Sequence, residues 1–263
     1  MYRHDTTGMR STSRVSARHT NITICLIVLS LSVAALELAL TVGAGTAIAQ
    51  TSEDSTNSTT TSTMGFSDET VLDGMNQPLE MTFLPDGRML VLKKGGRVLI
   101  ADPETGQRET YMTITDINTR NERGLLGIAL DPDFAQNGHF YLYYTDGQKY
   151  NGISRFTHVE NSSGLSSRGD LASEVEFWEN PDASDESCCH FGGGFGIGPD
   201  GKLYLATGEE FNGSQTQDLS KADGKIIRIN RDGSVPNDNP FVNDPDALDE
   251  IWAYGLRNPF AAT

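Results

Sequence analysis

The chain has 263 residues and a formal charge of −16, set by 36 acidic against 20 basic side chains. A polyanion of this size repels phosphate backbones and anionic headgroups, which excludes nucleic acid and acidic membrane surfaces as partners. Three cysteines cannot build a disulfide framework, so stability must come from an apolar core.

Residues 1–49 read as an export signal. Arg3, Arg10, Arg14 and Arg18 precede an apolar run over 22–49 that ends in Ala47-Ile48-Ala49, a small-x-small cleavage pattern before Gln50. The alternative is an uncleaved membrane anchor, because 28 residues are long enough to cross a bilayer. Glu37 favours cleavage, since an acid in mid-membrane costs about 2–3 kcal/mol. Either way the remainder is exported, to an extracellular, cell-surface or periplasmic location, and any membrane contact runs through this segment while it is uncleaved. The segment carries four arginines and two acids, so the rest of the chain stands at −18, a self-repulsion suited to a halophilic source. Residues 50–66 are rich in Ser and Thr and nearly free of large apolar groups, which predicts a disordered linker.

From 67 onward the pattern is strand and turn. "MTFLPDGRMLVLKKGGRVLIAD" from Met81, "IALDPDFAQNGHFYLYYTDG" from Ile128 and "FGIGPDGKLYLATGEEF" from Phe195 each give an apolar strand, a Pro-Asp turn and a second alternating strand; "GKIIRINRDG" from Gly224 adds another. Pro85, Pro132 and Pro199 lie 47 and 67 residues apart, a spacing that suits propeller blades joined by variable loops. The prediction is an all-β fold, a β-propeller over 67–263. At roughly 50 residues per blade these residues supply about three to four blades, fewer than a closed disc needs. A strand predicted at Ile251 is followed by a polar loop at Arg257-Asn258-Pro259 close to the last residue, so the propeller is expected to be incomplete and truncated.

The stretch "CCHFGGGFGIGPDG" from Cys188 to Gly201 is unsuited to a packed core. Glycines without Cβ let a ligand approach the backbone, and His190 beside Gly192, Gly193 and Gly194 is placed for proton transfer, against the plainer reading of a histidine satisfied by carbonyls. Cys188 and Cys189, about 3.8 Å apart at Cα, form either a vicinal disulfide or two small apolar thiols.

Four stretches in one order then resemble the soluble pyrroloquinoline quinone (PQQ)-dependent glucose/sorbosone dehydrogenases, six-bladed propellers that oxidise aldose sugars. They are "NERGLLGIALDPDFAQNGHFYLYYT" from Asn121, "CCHFGGGFGIGPDGKLYLATGEE" from Cys188, "GKIIRINRDGSVPNDNPF" from Gly224 and "EIWAYGLRNPF" from Glu250. The resemblance implies that His190 is the general base that deprotonates the anomeric hydroxyl while hydride passes to the quinone. It implies that Arg257 and Asn258 contact the quinone, where a guanidinium fork suits carboxylates, and that Glu122 lies near the sugar. Gly208-Glu209 stands where the family commonly has Gly-Asp, and Glu209 receives no role. Calcium belongs with the quinone, its ligands expected in later blades and none in this chain. With no Cys-x-x-Cys-His haem motif, electrons leave to a separate acceptor. Two other readings stay open: a non-catalytic extracellular ligand-binding propeller of the same fold, or an inactive remnant.

Overall fold

The computed structural model describes residues 67–148, 150–161, 164–180 and 187–261. The predicted export signal and linker over 1–66 lie outside the described residues. Among the described residues, twelve strands form three four-stranded antiparallel sheets in chain order. The first contains β1 (Pro78–Phe83), β2 (Met89–Lys93), β3 (Arg97–Ala101) and β4 (Arg108–Thr113). The second contains β5 (Leu125–Leu130), β6 (His139–Thr145), β7 (Asn151–Val159) and β8 (Arg168–Glu179). The third contains β9 (Phe195–Ile197), β10 (Leu203–Ala206), β11 (Lys225–Ile229) and β12 (Ile251–Tyr254). These are three blades of a propeller, with β1 packed beside β5 and β5 beside β9 as innermost strands. Three blades rather than four follow from long connections such as 207–224 and 230–250, which absorb residues without adding strands.

The strands take their places by hydrophobic alternation. In β6, Phe140 and Leu142 join the core shared with the first blade, and Tyr141 and Tyr143 join the core shared with the third. The middle blade is covered on both faces, so all four of these side chains are fully buried and the strand reads as an unbroken apolar run. Blade-to-blade contact supplies the two larger cores. A third, smaller cluster closes Met89, Val91 and Leu99 of the first blade beneath Leu72.

Two of the three predicted Pro-Asp turns are built alike. Gly87 and Gly201 adopt φ of 90° and 73°, while Asp86 and Asp200 accept the backbone N–H of Arg88 and Lys202 at 3.0 and 3.2 Å. The Asp131-Pro132-Asp133 turn differs because no glycine follows the aspartate. It runs into a single helical turn, α1 (Phe134–Asn137), that ends at Gly138 in the left-handed region.

Glu80 on β1 is partly buried against the second blade, where its Oε2 accepts the Ile128 N–H at 3.1 Å. Burial pushes its carboxyl up to about 7, against the opposing pull of that hydrogen bond. The unfolded chain therefore releases this proton first, and stability is expected to fall as pH rises from about 4.5 to about 7, with a slope below the single-proton limit of ~1.4 kcal/mol per pH unit. Urea melts across that window should show a flatter profile for Glu80→Gln, and a variant more stable than wild type at pH 8.

Candidate active site

Antiparallel order within each blade sends the β2–β3, β4–β5, β6–β7, β8–β9 and β10–β11 connections to one mouth of the propeller. Hydrogen bonds among them confirm it: Leu125 N–H donates to Lys94 O at 3.1 Å, Thr145 N–H to Gly124 O at 3.0 Å, and Asn151 Nδ2 to Glu210 Oε1 at 2.9 Å. Every candidate residue lies on these connections or on the segment after β12.

The segment 187–194 is fixed from several sides. Tyr143 donates its hydroxyl to Phe191 O at 2.8 Å, and the buried Arg123 donates to Ser187 O at 3.0 Å while its guanidinium lies 4.1 Å from the Phe191 ring centre. Ser187 Oγ donates to Glu210 O at 2.7 Å. Gly192 has φ of 73°, and a Cβ there would fall 2.1 Å from Ala206 O; a Cβ on Gly208 would fall 1.8 Å from His190 O. Glycine is required at both positions because two loops cross in direct backbone contact.

Within this frame His190 is buried and itself left-handed, with φ of 67°. Its N–H donates to Glu122 Oε2 at 2.7 Å, and its carbonyl accepts Glu210 N–H at 3.1 Å. Its side-chain Nδ1 donates to Oε1 of the buried Glu209, so the proton sits on Nδ1 and Nε2 is the basic nitrogen. Glu209 Oε2 is buried and has no hydrogen-bond partner among the described residues. Glu122, expected near the sugar, lies exposed on the β4–β5 connection and accepts the His190 N–H through one oxygen. Asn258 Oδ1 accepts Gly192 N–H at 3.1 Å, so that carboxamide holds the glycine run. Arg257 accepts Glu209 N–H through its carbonyl at 2.9 Å, which ties the two loops together. Its guanidinium is exposed and has no hydrogen bond or ion pair with a described residue. A hollow of about 380 Å³ opens beside them, lined by Glu209, Phe211, Thr216, Leu256 and Arg257. Cys188 and Cys189 are joined through their Sγ atoms at the edge of this mouth, Cys188 exposed and Cys189 half-buried.

The segments carrying His190 and Arg257, 67 positions apart, thus meet in the structure. Sequence reasoning missed Glu209 as the partner of His190, because the extra methylene relative to Asp obscured its role. It also missed Phe211, which a polar loop gives no reason to single out. Among the described residues, no group of three or more His, Cys, Asp and Glu side chains is arranged to hold a metal ion.

The glucose/sorbosone dehydrogenase family model matches residues 75–263. The chain belongs to that family. Aldose sugar dehydrogenase YliI of Escherichia coli is 33% identical over 193 residues, covering 73% of this chain and 51% of that protein. The PQQ-bound aldose sugar dehydrogenase of Streptomyces coelicolor superposes with a TM-score of 0.61 at 31% identity, covering 72% of this chain and 53% of that one. Human Hedgehog-interacting protein is 30% identical over 215 residues, covering 72% of this chain and 30% of that protein. The chain spans about half the length of the two dehydrogenases.

Replacing Gly208 with Ala should displace the His190 carbonyl and cost roughly 1–3 kcal/mol. Chemical denaturation would measure the loss, and the His190 ring resonances should move with it; an unchanged histidine spectrum would mean that the crossing does not hold the imidazole.

Proposed function

We propose that this chain carries the base and one cofactor-binding edge of a PQQ-dependent sugar dehydrogenase that oxidises the anomeric carbon of an aldose. The observation that carries the reading is the buried pairing of His190 Nδ1 with Glu209 beside a hollow that also presents the exposed Arg257 guanidinium. His190 accepts the anomeric hydroxyl proton at Nε2, and the Glu209 carboxylate stabilises the imidazolium that results. Arg257 fits a planar quinone bearing carboxylates, because an exposed guanidinium with no partner among the described residues can meet an anion as a two-pronged donor. The stretch 192–194 lacks Cβ atoms, which favours close approach of a flat ring. Bound PQQ supplies the acceptor for the two electrons and the hydrogen that leave the anomeric carbon, with calcium as its accompanying Lewis acid. A separate electron carrier would complete the oxidation, and the arginine-led apolar segment at the N-terminus supports export.

A binding propeller without redox chemistry is the second reading, favoured by the similarity to Hedgehog-interacting protein. The two separate by experiment. With PQQ, calcium and an aldose, the protein should reduce an electron-accepting dye, and His190→Ala should lower kcat by about 10²–10⁴ while quinone affinity, read by absorbance titration, stays within a few-fold. Arg257→Leu should weaken quinone binding by at least about tenfold, in line with the loss of one charge-assisted pair. Quinone binding without dye reduction on any aldose would favour the second reading.

A further inference from the structure

Six non-glycine residues have positive φ among the described residues, and three of them surround the site: His190, Glu210 and Phe211. Phe211 is the anomaly. A bulky aromatic at φ of 63° costs on the order of 1–3 kcal/mol of backbone strain, and its ring, 65% exposed, buries little apolar surface in return. Such strain persists where the surroundings over-determine the backbone. Here Glu210 N–H is held by His190 O, and Asn212 N–H donates to Glu209 O at 2.8 Å on the other side of Phe211. The backbone at Phe211 is thereby held, and its ring centre lies 5.4 Å from that of the imidazole with the planes tilted by 54°. The ring also forms one wall of the 380 Å³ hollow that contains Glu209 and Arg257.

Resting on the dehydrogenase reading of this site, we propose that Phe211 is the stacking platform for the sugar, taking the C–H face of an aldopyranose. A pyranose presents hydroxyls around its edge and C–H groups on its faces, and only the latter complement an aromatic ring. A wall that sets one exposed aromatic beside an exposed guanidinium matches that division: the C–H face meets Phe211, while edge hydroxyls accept from Arg257 N–H groups. Placement beside the imidazole directs selection toward closed rings, because an open-chain polyol with the same hydroxyls has no rigid C–H face to stack.

Saturation-transfer NMR on this chain with methyl β-D-glucopyranoside tests the platform without turnover, since that glycoside has no free anomeric hydroxyl. The ring C–H protons should receive saturation in the wild type, and sorbitol should receive far less. Phe211→Ala should weaken pyranoside binding at least about tenfold, whereas Phe211→Tyr retains it. Thermal melts of Phe211→Ala at or above the wild-type temperature would assign the loss to the missing ring, because an exposed strained residue contributes little to the core. Binding within twofold of wild type in Phe211→Ala, equal saturation of sorbitol, or no pyranoside binding at all would overturn the platform. Dye reduction with KM for aldoses unmoved by Phe211→Ala would overturn it while the redox reading stands. Pyranoside binding that depends on Phe211, in a protein that never reduces dye, would uphold it while the redox reading falls.

Discussion

The site depends on holding His190 in a left-handed conformation that histidine does not choose alone. Each end of that residue is fixed by a different blade connection: Glu122, from the loop after the first blade, takes its N–H, and Glu210, from within the third blade, donates to its carbonyl. Gly208 leaves the space into which that carbonyl fits. Backbone strain of about 1–3 kcal/mol is offset by these contacts, and the imidazole is thereby aimed at Glu209. Blade packing is what keeps the two connections in register, since the cores between blades fix the spacing of the strands from which both loops emerge.

The fold was legible because its signals are local. Pro-Asp-Gly turns and strand alternation specify a blade from one short segment, as Gly87 and Gly201 illustrate. The turn after Pro132 did not follow the pattern, because a single missing glycine redirected it into α1. At the site, the glycine run marked the place where His190 would matter, since backbone crossings leave a compositional trace. What could not be read was which carboxylate goes where. Glu122 and Glu209 are both acids in loops, and only the three-dimensional crossing decides that the first meets a backbone N–H and the second meets the ring.

Glu209 and Glu210 show how neighbouring identical side chains acquire different roles. Glu210 has φ of 48°, which turns the chain so that the two carboxylates diverge. One carboxylate reaches the His190 ring, and the other receives Asn151 Nδ2 from the second blade, where Asn151 itself accepts the Thr145 hydroxyl at 2.6 Å. The pair therefore couples the candidate base to the packing between blades, and the aromatic that follows at 211 inherits the same forced turn. A glutamate in place of an aspartate has one more torsion to fix, so the longer arm works only if its far oxygen is immobilised. Burial of Glu209 Oε2 without a hydrogen-bond partner among the described residues leaves that work to packing and to the single bond with His190. The His190 ring is thus the one side-chain partner of this carboxylate among the described residues, and the pairing sets the direction in which the imidazole faces.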